Sequence, residues 1–272
     1  MKIDCCVFDL DGTLLNSSKE VSKANLQALR KLKKNGVKIV LATGRNDVYV
    51  KGLAMKIGIT EPIIACNGAL VRSPITNEVL YHKFLPEAFV QEVASYCFSN
   101  AYDFTASVYD GMFCSANSKR VNVFHEYNMA MPPEFKIPIH MMETVAELPL
   151  NQILKMFVWQ LSDKQVIKIK QRYNVDEKIT FISSEKGGLD ITVKDASKGI
   201  ALSVIADKYH LDLDRVAVFG DHHNDISMME RAGYSFAMEN AEPEVKQAAK
   251  YITKSNDEDG VAYAIEKYFF SV

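Results

Sequence analysis

Asp9 and Asp11 stand two apart at the end of the apolar run Ile3, Cys5, Cys6, Val7 and Phe8, with Gly12 permitting a sharp exit. A second polar cluster, Asp221-His222-His223-Asn224-Asp225, ends the run Val216-Ala217-Val218-Phe219. Two carboxylates a few ångströms apart repel by roughly 4 kcal/mol at an effective dielectric of about 20, so such a pair persists only beside a cation, a shared proton or both. Magnesium suits them, because it prefers oxygen ligands, keeps several waters and binds through one or two carboxylates plus a substrate phosphate. Asp9 and Asp221 can supply those carboxylates. Lys198 follows Ser197, a candidate helix N-cap, and a cation there is disfavoured by about 0.3–1 kcal/mol, which suggests that it meets an anion. With Asp11 protonated, Asp9, Asp221 and Asp225 carry three negative charges, which one divalent ion and Lys198 together neutralise. An incoming phosphoryl group must then be held by N–H groups and hydroxyls, which the Thr43-Gly44 and Asp9–Gly12 turns can provide. Each feature alone has a plainer reading: an Asp-Gly turn after a strand, a solvated Lys198, an Asp225 that only complements a helix dipole.

The elements around these residues must bring them to one edge. The apolar runs before Asp9, Val37–Ala42 before Thr43-Gly44, and Ile63–Cys66 before Asn67-Gly68 read as buried parallel strands, each ending in a small polar cluster. Leu26, Leu29 and Leu32 recur at helical spacing up to Asn35-Gly36, and a second helix is expected over roughly 47–57. The pattern is βαβαβ, whose strand ends share the edge where open α/β sheets bind ligands. From about Tyr81 the pattern changes to an α+β insert of about a hundred residues. It holds a helix near Pro86–Ser99, strands around Tyr102–Tyr109 and Met112–Ser115 with a turn at Asp110-Gly111, a strand at Ile153–Gln160, a helix from Ser162 and a strand at Ile179–Ser184. Gly187-Gly188 is the expected return, after which Leu189–Val193 and Val216–Phe219 are expected to resume the parallel sheet.

The 272 residues carry 32 basic and 34 acidic side chains, a net charge of −2, which leaves no electrostatic footprint for nucleic acid or anionic membrane. No apolar run approaches the roughly 18 residues of a spanning helix, and a cytoplasmic location is expected. Cys5, Cys6, Cys66, Cys97 and Cys114 are odd in number and lack paired spacing, so they read as reduced packing residues. No Gly-x-x-x-x-Gly-Lys-Ser/Thr or Gly-x-Gly-x-x-Gly stretch occurs, and His125-Glu126 lacks the second histidine of a zinc helix.

Phe-Asp-Leu-Asp-Gly-Thr-Leu at 8–14, Ala-Thr-Gly-Arg at 42–45, Ser-Lys-Gly at 197–199 and Gly-Asp-x-x-Asn-Asp at 220–225 resemble, in order, the four motifs of haloacid dehalogenase-like (HAD) phosphatases. The insert between the second and third motifs is similar to that of the Cof-type sugar-phosphatase branch, class IIB. The resemblance implies a doubly wound, mainly parallel, Rossmann-like α/β core over 1–81 and 188–272, with an inserted α+β cap domain over 82–187 that selects the substrate. It makes Asp9 the nucleophile and Asp11 the acid and then base. It assigns magnesium to the Asp9 carboxylate, the Asp11 carbonyl and Asp221, with Asp225 beside them. Phosphoryl oxygens fall to the Leu10 amide, Thr43, Gly44, Lys198 and Asn224, while Asn67 and Arg45 are placed near the substrate. His222 and Lys194-Asp195-Ala196 depart from the family pattern without removing a catalytic group. Asn117, Lys119 and Arg120 are polar candidates in the cap, which read more readily as a solvated face.

The expected activity is hydrolysis of small phosphorylated metabolites, sugar phosphates foremost, by a magnesium-dependent monomer or weak homo-oligomer. A phosphosugar mutase and a non-catalytic metabolite-binding protein on the same fold are the alternatives. The presence of Asp9, Asp11, Lys198 and Asp221 weighs against the second.

Overall fold

The computed structural model describes residues 2–173, 178–182 and 187–271. In chain order the elements are β1 (Cys5–Phe8), α1 (Lys23–Lys34), β2 (Lys38–Leu41), α2 (Lys51–Lys56), β3 (Ile63–Ala65), β4 (Leu70–Arg72), β5 (Val79–His82), α3 (Glu87–Ser99), β6 (Asp103–Val108), β7 (Gly111–Ser115), α4 (Val121–Ala130), β8 (Ile139–Met142), β9 (Lys155–Trp159), α5 (Asp163–Tyr173), β10 (Ile179–Ile182) and β11 (Leu189–Val193). They continue with α6 (Lys198–Tyr209), β12 (Val216–Gly220), α7 (Ile226–Met229), β13 (Tyr234–Ala237), α8 (Pro243–Ala248), β14 (Tyr251–Ile252) and α9 (Gly260–Ile265). Two compact units result: Met1–Thr43 with Leu53–Tyr81 and Ser197–Val272, and Gly44–Gly52 with His82–Ala196.

The first unit is built on a parallel sheet of order β14-β13-β12-β1-β2, which a single parallel bridge between Ala42 and Ile64 extends to β3. β3, β4 and β5 form a small three-stranded sheet of their own. Side chains alternate across a strand, so β1 sends Cys5 and Val7 to one face and Cys6 and Phe8 to the other. Cys5 and Val7 lie in a core with Val40, Val216 and Val218 of the sheet, Ala201, Leu202 and Ile205 of α6, Met228 and Met229 of α7 and Val245 of α8. The opposite face carries an aromatic ladder. Phe8, Phe219, Phe236 and Tyr251 sit directly across from one another in register, with ring centroids 4.9, 4.7 and 5.1 Å apart. Tyr268 and Phe269, after α9, close over Phe236. On that side α1 joins α9 through Asn25, whose side chain accepts from the Ala262 amide at 3.0 Å. The chain leaves β1 for β2 on one side and reaches β12, β13 and β14 on the other, so β1 and β12 flank the point where strand order reverses. Ligands bind outside the carboxyl ends of the strands at such a point.

The second unit is a six-stranded sheet of order β10-β11-β9-β6-β7-β8, antiparallel except for the β7–β8 pair. Phe89, Val90 and Val93 of α3 and Ile169 and Tyr173 of α5 cover one face, against Phe104, Ala106, Met156, Val158, Leu189 and Ile191. Val121 and Phe124 of α4 pack against Met112 and Cys114 of β7.

Here the structure corrects an expectation. Leu189–Val193 does not resume the parallel sheet; β11 lies antiparallel between β10 and β9. Its sequence explains this, because Leu189, Ile191 and Val193 alternate with Asp190 and Thr192, the pattern of a strand with two different faces rather than the unbroken apolar run of a parallel one. The amide of Leu161 donates to the carbonyl of Gly187 inside the second unit, whose last residue is Ala196. Gly44–Gly52 also belongs to the second unit, where the Asn46 side chain donates to the Val108 carbonyl at 2.8 Å. Of the strand expected at Ile179–Ser184, Ser183 and Ser184 lie outside the described residues.

All five cysteines are buried, and none is joined in a disulfide. Among the described residues no helix is long and apolar enough to cross a membrane.

The ladder ties β1, β12, β13 and β14 together just behind their carboxyl ends. Phe219→Ala is expected to destabilise the first unit by about 3–5 kcal/mol. The shift of the urea midpoint, followed by far-ultraviolet circular dichroism, measures this.

Candidate active site

Asp9 is the first residue past β1, and its amide still donates to the Phe219 carbonyl at 3.0 Å, so the nucleophile candidate is seated by sheet hydrogen bonding. The chain then folds back: the Leu14 amide donates to the Asp9 carbonyl, and the Thr13 and Leu15 amides donate to the Leu10 carbonyl. Leu10 is wholly buried in this loop. Gly12 has φ +83°, and a Cβ there would collide with the Asp221 carboxylate. Only glycine lets the loop lie this close to the end of β12.

Lys198, at the N-terminus of α6, is fully buried and bridges two acids. Its ammonium lies 2.5 Å from Asp9 Oδ1 and 2.6 Å from Asp225 Oδ1. The other oxygen of Asp225 accepts from the amides of Asp221 (3.0 Å) and His222 (3.1 Å), so Asp225 is engaged on both sides. Asp221 accepts from the Thr13 hydroxyl at 2.8 Å. Ser197 caps α6 as expected, accepting from the Ile200 amide at 3.2 Å.

Burial sets the electrostatics. It works to lower Lys198, but the carboxylates of Asp225 and Asp9 outweigh it and hold the ammonium charged. For Asp9, burial pushes the carboxyl well up, Lys198 pulls it down, and Asp225 and Asp221 add to the rise. Asp221 rises to about 7, through burial first and then the Asp225 charge, against the hydrogen bond from Thr13. One ammonium does not balance three acids. One ligand atom each from Asp9, Asp221 and Asp225 lies within 4.8 Å of the others, a set of hard oxygens suited to a divalent cation. Since Asp225 already serves Lys198 and two amides, Asp9 and Asp221 are the carboxylates best disposed toward an ion.

The third wall comes from Cys66-Asn67-Gly68, three consecutive residues at positive φ (51°, 59° and 97°). A Cβ on Gly68 would overlap the Ser197 carbonyl and the Lys198 amide, so this turn presses directly on the residues that deliver the ammonium. Asn67 accepts from the Asn224 side chain at 2.9 Å. The remaining amide nitrogen of Asn67 and carbonyl oxygen of Asn224 are buried without a protein partner. Thr43 is buried and is tied in by its backbone, donating to Ile64 at 2.8 Å and accepting from the Asn67 amide at 3.0 Å.

Asp9, Lys198, Asp221 and Asp225 therefore converge. Asp11 stands apart from that trio of acids, part-exposed, with Oδ1 2.9 Å from the Lys19 ammonium. Gly44 and Arg45 belong to the second unit: Lys155 Nζ donates to the Gly44 carbonyl at 2.6 Å and Arg45 lies 4.7 Å over the Tyr49 ring. Arg120 in that unit lies 4.8 Å over Phe157, while Asp103 receives the amides of Lys119 and Arg120. His222 sits 3.3 Å from Glu242 through Nε2, and His223 is exposed. Sequence reasoning gave no role to Thr13 or Lys19. Thr13 had a signal, a hydroxyl directly after the glycine of the first motif; Lys19 had none.

Gly68→Ala should cost about 1–3 kcal/mol through the positive φ and the contact with Ser197, and should lower turnover by displacing Lys198. Thermal unfolding together with steady-state kinetics measures both.

Residues 6–265 match the family model of haloacid dehalogenase-like hydrolases. The chain is 31% identical to the 5-amino-6-(5-phospho-D-ribitylamino)uracil phosphatase YwtE of Bacillus subtilis, over 97% of each chain. It is 33% identical to the putative phosphatase YxeH of the same organism, over 96% of each. A haloacid dehalogenase-like hydrolase from Bacteroides thetaiotaomicron has the same fold, with a TM-score of 0.85, 29% identity and coverage of 98% of this chain and 100% of that one. With the four motifs in order and the match running nearly end to end, this chain belongs to the haloacid dehalogenase-like hydrolase family.

Proposed function

We propose that this member of the family is a cytoplasmic, magnesium-dependent phosphomonoester hydrolase that acts on small phosphorylated metabolites through an aspartyl-phosphate. The observation that carries the reading is the Lys198 ammonium, buried between Asp9 and Asp225 and within a cluster of acids that asks for a further cation. A carboxylate nucleophile divides one hard displacement into two easier ones. An oxygen of Asp9 forms a bond to phosphorus as the phosphorus–ester oxygen bond breaks, and Asp11 gives its proton to the departing alcohol. Asp11 then takes a proton from water as that water attacks phosphorus; the bond to Asp9 breaks, inorganic phosphate leaves and the carboxylate is restored. Lys198 keeps Asp9 oriented and offsets charge on the phosphoryl oxygens, and Asp225 fixes Lys198. Thr43, Gly44 and the Leu10 amide are assigned to those oxygens, with the Asn67–Asn224 pair offering a further donor.

Asp9 and Asp221, with the Asp11 carbonyl, would hold magnesium, which when bound neutralises charge on the transferring group. The second unit is the proposed cap that selects the substrate, over 82–196 together with 44–52 rather than over 82–187. Sugar and polyol phosphates are the first class to test, since a relative at 31% identity is named for a phosphorylated ribityl compound.

Asp9→Asn is expected to lower phosphate release from a panel of phosphorylated metabolites by about a thousandfold or more. Turnover at the wild-type rate would refute the assignment. A second expectation concerns pH. Asp221 has its pKa raised from 3.8 to about 7, so its contribution to the stability of the ion-free protein is present below 3.8 and is lost as pH rises through about 7. Magnesium requires the carboxylate, so at about pH 6 its binding should release protons, and this release should fade above about pH 8. Titration calorimetry in two buffers of different ionisation enthalpy reads the release; identical heats in both at about pH 6 would contradict it.

A further inference from the structure

Asp11 is held by a residue outside the four motifs. Lys19 sits at φ +60°, a region a lysine adopts only when its surroundings impose it. Here a tight turn does so: Lys19 donates its amide to the Asn16 carbonyl at 2.8 Å, Asn16 donates to the Glu20 carbonyl at 2.9 Å, and the Asn16 side chain accepts from the Glu20 amide at 2.9 Å. The turn is anchored from the far end of the chain. Ser17 gives Asp257 both its amide (2.8 Å) and its hydroxyl (2.6 Å), and Asn256 donates to the Leu15 carbonyl at 2.9 Å. Asn240 donates to the Gly12 carbonyl at 2.8 Å while accepting from the Asn256 amide at 3.0 Å. Gly12, Leu15 and Ser17 are thus each held by residues 240–257, and the turn that follows them presents an ammonium to Asp11 at 2.9 Å.

An exposed lysine–aspartate pair adds little to stability, so fold maintenance does not account for such construction. We propose that Lys19 is a positioning residue: it grips one oxygen of the Asp11 carboxyl and so fixes where the proton for the leaving alcohol is delivered. This rests on the reading of Asp11 as the acid. The residues that follow Asp11 lie against Asp221, Gly12 by close approach and Thr13 by a hydrogen bond of 2.8 Å, so the part-exposed Asp11 borders the cluster of acids.

Leaving-group dependence tests it. An alkyl phosphate needs a proton on its departing oxygen, whereas a nitrophenolate departs without one. The measured quantity is kcat/KM for ribose 5-phosphate divided by kcat/KM for para-nitrophenyl phosphate, since kcat/KM ends at departure of the alcohol and is blind to the later hydrolysis of the aspartyl-phosphate. In Lys19→Met and Lys19→Gln this ratio is expected to fall about tenfold, with Lys19→Arg restoring most of it, and Asp11→Asn to lower it further. If Asp11→Asn lowers the ratio while Lys19→Met and Lys19→Gln leave it at the wild-type value, the role of Lys19 is overturned and Asp11 stands as the acid. If Asp11→Asn leaves the ratio unchanged, the acid assignment fails and the inference falls with it. A fall in both kcat/KM values by one factor would make Lys19 a fold or phosphate contact and would also overturn it.

Discussion

A buried ammonium shared by two buried carboxylates is the constraint on which the first unit depends. Lys198 and Asp225 are wholly removed from solvent and Asp9 nearly so, an arrangement that costs several kcal/mol of desolvation per ion unless geometry and further hydrogen bonds offset it. The offset is visible in Asp225, which takes Lys198 on one oxygen and two main-chain amides on the other. Asp9 has no such surplus of donors. That imbalance leaves an acid both buried and oriented, the condition under which a carboxylate can serve as a nucleophile.

The fold supplies this geometry by removing freedom from three directions. The aromatic ladder ties the strands immediately behind Asp9 and Asp221, and strand hydrogen bonding carries on into Asp9 itself. Gly12 brings the loop after β1 against Asp221. Gly68, at the end of a left-handed triplet, brings another loop against the first turn of α6. At both glycines the space a side chain would need is occupied by a group of the site. Close approach, more than attraction, determines where the charges lie.

Much of this was legible in the sequence. Apolar runs that end abruptly in acids or in Thr-Gly predict strand ends on one edge, and the convergence of Asp9, Lys198, Asp221 and Asp225 follows from topology once the strands are parallel. Leu189–Val193 is legible as a strand, and its alternation with Asp190 and Thr192 is the trace of the antiparallel pairing that the expectation of a resumed parallel sheet left out. The pairings of Thr13 with Asp221, 208 positions apart, and of Ser17 with Asp257, 240 apart, were not legible, because a side-chain hydrogen bond leaves no periodic trace. The turn at Asn67-Gly68 could be read, but not that Cys66 would share its left-handed backbone, since a cysteine carries no local signal for positive φ.

The order of the chain bears on how such a protein is made. β1 emerges early in synthesis, yet its partner β12 begins at Val216, and ribosomes add about 5–20 residues per second. For about 10–40 seconds at that rate the nascent chain carries its first acids on a sheet that lacks one flank, and the last strand of the six-stranded sheet is made before β12 begins. The strands of the second unit can therefore pair first, and the first unit closes only when the last quarter of the polypeptide arrives. A product terminated before Val216 would lack the strand that flanks β1 and, with it, Asp221 and Asp225.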